Sequence, residues 1–430
     1  NAKEVFWQPE YAGKLMQDWL DNMQDWNISR RRYWGLPLPF YECSCGHTEI
    51  IGSKEELKKL SADARKVDSL PELHKPWIDE VRIKCPKCKK EVSRISDVGD
   101  CWLDAGIVPF STLNYLQDRE YWKKWFPANF VTEMREQIRL WFYSMLFMST
   151  TLKNVSPYKS VFLYEKVHDE KGKPMHKSAG NAIWFDDAVE KMGADVMRWI
   201  YSFQNPFVNL NFGYGAAKEA KRDLDVIWNL GNYVNLYCKH KNEDADDVAS
   251  RWIISRREST KEKVAIHLEK LQPQQAIQEI KQFLIVDLSR TYGQLIRDEL
   301  EDKGVQAVLY NSFLDGIKLL APFLPFIAEK LYQELGGKKE SIFLEDWPEP
   351  SRKLIHEDLE GSMKEIKNII QETLAQRDKA KIGVRWPLPN VLISSENPNP
   401  LEQFKEIIKK QANVKEVTFK KGENLIELDT

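Results

Sequence analysis

Four cysteines in two close pairs restrict the fold of this chain more than any other feature of its sequence. Cys43 and Cys45 stand in C-S-C-G-H, and Cys85 and Cys88 stand in C-P-K-C. Turns this tight direct two sulfurs at one point, so the two pairs together suit tetrahedral capture of Zn²⁺ by thiolates. The alternative is two disulfides or four unrelated thiols, which the lack of a secretory signal disfavours.

Two histidines and two further cysteines complete the set of possible metal ligands. His47 follows the first pair, and either His47 or His74 is an alternative to one of the thiols. Cys101 and Cys238 are expected to be core residues. The metal would then hold together an insertion at about 41–95, in which S-K-E-E-L-K-K-L-S-A-D-A predicts a helix.

The charge balance limits how the chain can meet nucleic acid. Its 63 Lys and Arg residues nearly equal its 65 Asp and Glu residues, so any contact with nucleic acid must come from a local basic patch. Arg30, Arg31 and Arg32 form such a patch beside Tyr33 and Trp34. These arginines can bind phosphates or stack on a base; the alternative is a solvated turn held by salt bridges.

The chain shows neither a membrane segment nor a leader. No run of about 18 apolar residues occurs, so no membrane span is expected. The opening N-A-K-E-V-F has no initiator methionine and no charged-then-apolar leader, and we interpret the chain as a piece of a longer protein.

A buried strand followed by polar residues suggests a ligand site near position 133. N-F-V-T predicts the strand, and a helix is expected from about Glu133. On such a helix Glu133, Glu136, Gln137 and Trp141 share one face. Open α/β sheets bind ligands where a strand gives way to a helix. An ordinary amphipathic helix with Trp141 in the core is the alternative.

Further elements flank the loop K-P-M-H-K-S-A-G-N at 173–181. S-R-I-S-D-V-G-D-C-W-L-D-A-G predicts a strand and an acid-rich loop that ends at Gly106. S-V-F-L-Y-E-K-V-H-D predicts one strand before the 173–181 loop, and D-D-A-V-E-K-M-G-A-D-V-M-R-W-I-Y-S predicts one helix after it. A helical bundle is expected beyond Asn209, with helices at 215–242, 250–270, 275–300, 304–320, 323–336 and about 358–379. The helix L-E-Q-F-K-E-I-I-K-K-Q and the strands V-K-E-V-T-F-K-K and N-L-I-E-L-D predict a small α+β cap.

Several of these motifs, in this order, resemble one family. They are D-W-N-I-S-R-R-R-Y-W-G-L-P-L-P, the split cysteine pairs, D-V-G-D-C-W-L-D-A-G, F-V-T-E-M-R-E-Q-I-R-L-W-F, K-P-M-H-K-S-A-G-N, R-W-I-I-S-R, D-L-S-R-T-Y and K-I-G-V-R-W-P-L. Together they resemble the C-terminal half of the isoleucyl-tRNA synthetases, class I enzymes of the valine, leucine and isoleucine group, over essentially the whole chain.

The resemblance implies a multidomain fold. Residues 1–205 would be the second half of a Rossmann-like α/β nucleotide-binding domain, with the zinc-knuckle insertion at about 41–95. Residues 206–375 would be an α-helical bundle that binds the anticodon stem, and residues 376–430 a small α+β C-terminal domain.

The resemblance also implies roles for the loop at 173–181. Met175, His176, Lys177 and Ser178 match the last four positions of the family's K-M-S-K-S motif and would bind ATP. Lys177 and Ser178 would act in catalysis, because a positioned ammonium stabilises the charge that develops on the phosphates. Pro174 replaces the first lysine of the motif, which removes a donor and stiffens the loop.

The family's E-G-x-D-Q-x-R-G-W-F motif corresponds to residues 133–142. By that match the aminoacyl adenylate would be held by Glu133, Glu136, Gln137 and Trp141. Met134 and Leu140 replace two glycines of the motif, and their β-carbons are expected to crowd the adenosine. Ala105 replaces the serine of the family's D-S-G.

The activity implied by the resemblance is ATP-dependent activation of isoleucine, with Mg²⁺, and its transfer to tRNA(Ile). A cytoplasmic monomer is expected, with Arg30, Arg31 and Arg32 near the acceptor end of the tRNA. The family's H-I-G-H motif and its editing segment do not occur in these 430 residues, so this piece alone is expected to be inactive.

Three interpretations follow. The chain is a fragment of a complete synthetase, or it belongs to a degenerate paralogue that binds tRNA or a partner without catalysis. The changes at 134, 140, 174 and 176 favour the second, but such replacements are tolerable while Lys177 remains in reach, and we prefer the first. A zinc-ribbon nucleic-acid module unrelated to synthetases is a third interpretation, but it leaves the downstream motifs unexplained.

Overall fold

The computed structural model describes residues 1–423 and 425–428. The chain divides into two compact units, the first from Asn1 to Lys166 and the second beginning at Val167. No helix in the described part of the chain combines the length and the hydropathy needed to cross a bilayer.

The first unit is built around a parallel sheet and a small cysteine-bearing insertion. Its strands are β1 (Phe6–Gln8), β2 (Ser29–Arg30), β3 (Phe40–Glu42), β4 (Thr48–Ile50), β5 (Arg82–Lys84), β6 (Glu91–Ser93), β7 (Val98–Gly99), β8 (Val131–Met134) and β9 (Ser160–Tyr164). Its α-helices are α1 (Tyr11–Asn22), α2 (Lys54–Leu60), α3 (Ala64–Asp68), α4 (Cys101–Gly106), α5 (Val108–Ser111), α6 (Arg119–Trp125) and α7 (Trp141–Lys153).

Three strands form the parallel sheet in the order β1-β9-β8. The connection from β8 to β9 is α7, as expected of parallel strands, which need a crossover. Phe142 at the start of α7 is fully buried, and the hydroxyl of buried Tyr158 donates a 3.0 Å hydrogen bond to its carbonyl oxygen. The sheet and its helices thus share one core.

The helix predicted to begin at about Glu133 begins later in the structure, so this prediction is wrong about its start. Strand β8 continues to Met134, because residues 131–134 pair in register with Val161–Tyr164 of β9. A 3₁₀ turn, Arg135–Arg139, follows, and α7 begins only at Trp141. Glu133 and Trp141 therefore do not lie on one helical face.

Other local predictions for this unit also need correction. The acid-rich segment before Gly106 is helix α4, which Asp100 caps through a 2.8 Å bond from the backbone N–H of Trp102. Cys101, at the start of that helix, is exposed rather than in the core, whereas Cys238 is buried as expected. The helix expected at 53–64 is confirmed as α2 but ends at Leu60, and a second helix, α3, begins at Ala64.

The second unit begins with a two-stranded parallel sheet and continues as a helical bundle. Its strands are β10 (Val167–Asp169), β11 (Leu210–Phe212), β12 (Leu388–Ser395), β13 (Val414–Lys421) and β14 (Leu425–Leu428). Its α-helices are α8 (Phe185–Met192), α9 (Ala194–Phe203), α10 (Tyr214–Tyr237), α11 (Val248–Glu269), α12 (Pro273–Lys281), α13 (Gly293–Leu295), α14 (Lys303–Leu320), α15 (Pro325–Glu334), α16 (Glu357–Lys379) and α17 (Lys405–Ala412).

The predicted bundle is confirmed, with one interrupted helix. Residues 282–292 between α12 and α13 form a π-helical stretch. Leu284 and Leu288 of this stretch are fully buried in the main core, together with Phe313 of α14 and Trp252 of α11. The apolar residues at helical spacing therefore lie in the core, as their periodicity predicts.

Two further predictions for this unit change in detail. The strand expected at 160–169 is two strands in different sheets, since β9 ends at Tyr164 and β10 pairs with β11. The helix expected after the 173–181 loop breaks at Gly193, whose φ of +90° favours glycine. The small α+β cap is confirmed, with strand order β13-β12-β14. Of its last predicted strand, residues 424 and 429 lie outside the described residues.

Candidate functional site

The four cysteines of the two pairs meet at one point of the first unit. The sulfur atoms of Cys43, Cys45, Cys85 and Cys88 all lie within 4.8 Å of one another. Cys43 Sγ is 3.4 Å from Cys88 Sγ, and Cys45 Sγ is 3.8 Å from Cys85 Sγ. Each close contact joins one residue of each pair, and all four thiols are free rather than disulfide-bonded.

This geometry fits a tetrahedral zinc ion. Zn–S bonds of about 2.3 Å place the sulfurs of a regular tetrahedron about 3.8 Å apart. A hydrogen bond from the backbone N–H of Cys45 lowers the pKa of Cys43 to about 6, so one thiolate is available at neutral pH. For Cys88, the backbone N–H of Lys90 acts to lower the pKa, but the contact with Cys43 and burial outweigh it and raise the pKa to about 11.

Neither histidine is part of the cysteine cluster. The Nε2 atom of His47 lies 2.8 Å from a carboxylate oxygen of Glu49. The ring of His74 stacks on Trp34, with the ring centroids 4.7 Å apart and the planes 6° from parallel. The chemistry of the donor set is thus that of four thiols.

The residues at 133–141 surround the end of strand β8. A carboxylate oxygen of Glu133 accepts hydrogen bonds from the backbone N–H of Met134 at 2.9 Å and from the hydroxyl of Tyr164 at 3.3 Å. The side-chain oxygen of Gln137 accepts the backbone N–H of Trp141 at 3.1 Å, which caps α7. The polar residues thus gather where the strand ends, although by a turn rather than by a helical face.

The indole of Trp141 joins this strand end to helix α4. Its Nε1–H donates a 3.1 Å hydrogen bond to the carbonyl oxygen of Ala105. Next to it, a β-carbon at Gly106 would lie 2.7 Å from the backbone oxygen of Ser144. Glycine at 106 is therefore what allows α4 and α7 to approach this closely.

Glu136 is held by an ion pair. Its Oε1 atom lies 2.7 Å from Nζ of Lys166. The hydrogen bond from Lys166 lowers the pKa of Glu136 and keeps its carboxylate charged. The neighbouring positions 134 and 140, where the family has glycine, have φ angles of −63° and −123°. With a ψ of 156°, Met134 lies in the extended region that any residue adopts, so it causes no backbone strain.

The three arginines of the basic segment differ in their surroundings. Arg30, on β2, forms an ion pair with the buried Asp100 next to β7. Arg31 and Arg32 are exposed, and no ion pair or hydrogen bond joins either to another described residue. Arg30 is therefore anchored to a buried carboxylate, and the two arginines after it face solvent.

The loop at 173–181 belongs to the second unit and is held by Asp169 and Asn181. Asp169 Oδ1 accepts the backbone N–H groups of Lys171 at 3.0 Å and Lys173 at 2.8 Å. Asp169 Oδ2 accepts the amide of Asn181 at 2.9 Å. The bond from Asn181, and next the backbone N–H of Lys173, lower the pKa of Asp169.

Asn181 also fixes the middle of the loop. Its Oδ1 atom accepts the backbone N–H of His176 at 2.9 Å, and its Nδ2 donates to the carbonyl oxygen of Pro174 at 3.0 Å. Between these contacts Met175 packs on a cluster that includes Ala188. The sequence analysis missed this clamp, for which the only local signal is that Asp169 precedes a turn ending in Gly172.

Lys177 and Ser178 lie at the exposed tip of the loop. They belong to a 3₁₀ turn, Lys177–Ala179, that ends at Gly180 with a φ of +69°. The ammonium of Lys177 lies 4.5 Å from the centroid of the Trp184 ring, a cation–π distance. No carboxylate pairs with Lys177 in the described chain, so its charge remains available to an anionic ligand.

Residues 1–212 match the family described as tRNA synthetases class I (I, L, M and V). Residues 250–392 match the anticodon-binding domain of tRNA ligase. The chain belongs to the class I tRNA synthetases.

Within that class, the curated relatives of this chain include isoleucine–tRNA ligases. The chain is 35% identical to that of Methanopyrus kandleri, over 96% of this chain and 42% of the relative. It is likewise 35% identical to that of Clostridium novyi, over 97% of this chain and 42% of the relative. The chain thus spans less than half the length of these relatives.

Two solved structures share the fold. The LeuRS of Agrobacterium radiobacter K84, solved as a ternary complex with tRNA and LeuAMS, superposes with a TM-score of 0.61 at 22% identity, over 80% of this chain and 45% of that one. The methionyl-tRNA synthetase of Mycobacterium tuberculosis, solved with methionyl-adenylate, gives a TM-score of 0.57 at 17% identity, over 77% of this chain and 58% of that one.

Proposed function

We propose that the protein to which this chain belongs is an isoleucine–tRNA ligase, which activates isoleucine with ATP and transfers it to tRNA(Ile). The observation that carries the proposal is the 35% identity to isoleucine–tRNA ligases over 96% of the chain. The loop at 173–181, which presents Lys177 in a defined conformation, supports the proposal on chemical grounds. Such a function belongs to the cytoplasm, and we expect a monomer.

The loop at 173–181 would act on ATP and its Mg²⁺ in the activation step. The isoleucine carboxylate attacks the α-phosphorus, the bond to the bridging oxygen breaks, and pyrophosphate leaves. Negative charge grows on the phosphate oxygens, and the ammonium of Lys177 would stabilise it. Met175, His176 and Ser178 would line the same loop, with the Ser178 hydroxyl as a donor. The clamp formed by Asp169 and Asn181 would keep Lys177 in position.

The strand end at 133–141 would hold the aminoacyl adenylate. The carboxylate of Glu133 and the amide of Gln137 are the polar groups that would recognise it, and the Trp141 ring is the apolar surface. Glu136 stays in this set as a prediction, although its Oε1 atom is already paired with Lys166.

The cysteine cluster would hold one zinc ion as a structural element. Four thiolates leave no open coordination position for substrate, so such an ion stabilises a fold rather than supplying chemistry. The helical bundle would contact the anticodon stem of tRNA(Ile), and Arg30, Arg31 and Arg32 would lie near the acceptor end.

A second candidate is a paralogue that binds tRNA or a partner but does not catalyse. It is favoured by the replacements in the family's motifs, namely Met134, Leu140, Pro174 and His176. Isoleucine-dependent exchange of labelled pyrophosphate into ATP separates the two candidates when measured on the protein as its gene encodes it. Strong exchange with isoleucine supports the ligase. Binding of tRNA(Ile) with no exchange above background supports the paralogue.

A further inference from the structure

A glutamate next to Asp169 reaches from the start of the lysine-bearing loop to helix α10. Glu170 lies in the turn that leads from β10 into the loop at 173–181, a turn in which the N–H of Gly172 donates a 2.9 Å hydrogen bond to the carbonyl oxygen of Asp169. The Oε1 atom of Glu170 accepts a 2.5 Å hydrogen bond from the backbone N–H of Gly215, in the first turn of α10. Its carboxylate therefore joins the base of the loop to a helix 45 positions later in the chain.

Glycine at position 213 is explained by this contact and not by its backbone conformation. Gly213 has a φ of 176° and a ψ of −172°, extended values that any residue adopts. A β-carbon there would lie 1.9 Å from Cγ and 2.2 Å from Cδ of Glu170, and a β-carbon at Gly215 would lie 2.9 Å from Oε1 of the same side chain. The three atoms nearest to the Gly213 position all belong to Glu170. An added β-carbon would therefore displace this flexible side chain rather than the backbone.

Helix α10 is a firm support for this contact. Its residues Ala217, Ala220, Leu224 and Ile227 are buried in the main core of the helical bundle. Strand β11, which leads into α10, also pairs with β10, from which the loop emerges. A negative charge at the start of a helix of 24 residues is favourable, because the free N–H groups and the helix dipole present positive charge there. The Glu170 carboxylate thus links the loop to a part of the bundle that is fixed by packing.

We propose that Glu170 is a positioning residue, which ties the start of the loop at 173–181 to the first turn of α10 and so holds Lys177 in place. That Lys177 acts on ATP rests on the proposed function. Asp169 and Asn181 bond to atoms of the loop itself and fix its shape, whereas Glu170 bonds to the bundle and fixes the position of the loop on it. Glu170 therefore acts through Lys177 and is not a catalytic residue.

Amide hydrogen exchange, measured by mass spectrometry, tests this tie without any catalysis. In Glu170→Ala the amides of residues 171–181 should exchange about 3- to 30-fold faster, which is the effect expected from the loss of one interaction at a helix N-terminus. Glu170→Gln keeps an acceptor oxygen for the N–H of Gly215, so its loop should exchange within twofold of wild type. Faster exchange confined to α10, with unchanged rates at 171–181, would show that Glu170 only caps the helix and would overturn the proposal.

Gly213→Ala is the matched variant, because it displaces the Glu170 side chain without removing it. It should accelerate exchange at 171–181 by the same factor as Glu170→Ala. The double variant should show no further change, since the atoms that the new β-carbon would meet are then gone. Effects of the two changes that multiply in the double variant would contradict the proposal. Glu219→Ala is the control, since Glu219 is an exposed residue of the same helix without a hydrogen bond or ion pair to any described residue; its loop should exchange within twofold of wild type.

Pyrophosphate exchange with the protein as its gene encodes it tests the consequence for chemistry. In Glu170→Ala, kcat for isoleucine-dependent exchange should fall by about 3- to 30-fold, and Glu170→Gln should restore it, while KM for isoleucine stays within twofold. An unchanged kcat in Glu170→Ala would overturn the positioning of Lys177. Failure of the proposed function shows differently, as wild-type protein without isoleucine-dependent exchange of pyrophosphate, and hydrogen exchange then still tests the tie between the loop and α10.

Discussion

Replacement of Asn181 tests whether the clamp on the lysine loop matters to chemistry. Asn181→Ala removes the acceptor of the His176 N–H and the donor to the Pro174 carbonyl, and it releases Asp169. The loop would then lose the hydrogen bond that joins Asp169 to Asn181, 12 residues later in the chain. Lys177 itself is untouched.

The magnitude follows from the two bonds to the backbone. A hydrogen bond of this kind contributes about 0.5–1.5 kcal/mol net, so two contribute about 1–3 kcal/mol. If that energy holds Lys177 where the transition state needs it, kcat/KM for ATP falls by about 5- to 150-fold. KM for isoleucine should change by less than twofold, because the proposed role of the loop is to contact the phosphates of ATP and not isoleucine.

Asn181→Asp sharpens this test. The aspartate keeps the acceptor oxygen for the His176 N–H, but it loses both N–H donors and places a second carboxylate beside Asp169. We expect Asn181→Asp to be at least as damaging as Asn181→Ala at neutral pH, despite its closer shape.

The assay is isoleucine-dependent pyrophosphate exchange with the protein as its gene encodes it. Asn205→Ala is the control, because Asn205 makes a similar local bond, 3.0 Å from the Phe207 N–H, in the same unit. Exchange by Asn181→Ala within twofold of wild type, or full activity of Asn181→Asp, would refute the reasoning.

Three further outcomes are expected. Lys177→Ala should slow pyrophosphate exchange by about 100-fold while isoleucine binding, measured by calorimetry, stays within twofold; a larger effect on binding than on rate would contradict the role. Metal analysis should give about one zinc per chain, lost when Cys85 and Cys88 are both serine; zinc retained by that variant would exclude the cluster as its site. Gly106→Ala should lower the free energy of unfolding by about 1–3 kcal/mol in urea, because its β-carbon would stand 2.7 Å from a backbone oxygen of α7. Gly361→Ala, whose β-carbon meets nothing within 4 Å, should not destabilise, and equal effects of the two changes would remove the steric argument.

Local signals in the sequence predicted the cysteine cluster and the bundle. Two residues spaced as C-x-x-C on a turn must point together, and only the meeting of the two pairs needed the fold. In the bundle, helical periodicity alone places residues such as Trp252 and Phe313 in the core, and both are buried. In both cases the signal lies within a short stretch of sequence, so it can be recognised without knowledge of the fold.

The helix predicted from about Glu133 was wrong in its start for a non-local reason. The segment E-M-R-E-Q-I-R-L-W has the composition of a helix, but Glu133 and Met134 pair with Leu163 and Tyr164 of β9. That pairing joins residues 30 positions apart, which no periodicity reveals, and tertiary pairing overrode local propensity. The clamp between Asp169 and Asn181 escaped prediction in the same way.

The structure around Pro174 bears on the choice between an active ligase and a silent paralogue. Proline has no N–H, yet the loop uses Pro174 only through its carbonyl oxygen, which accepts the Asn181 amide at 3.0 Å. The family has a lysine where this chain has Pro174. Its replacement therefore removes one cation and leaves the clamp intact. Lys177, on the exposed tip, keeps its charge without a carboxylate partner in the described chain. A paralogue freed from catalysis has no need for a clamp that holds an unpaired lysine at the tip of a loop. Exchange by the wild-type protein decides the question, and the effects of Asn181→Ala and Lys177→Ala on that exchange then show how the clamp acts. If each single variant lowers the rate and the double variant lowers it no further, the clamp acts through Lys177. If the losses of the two single variants add in the double variant, the clamp serves the fold and not the reaction.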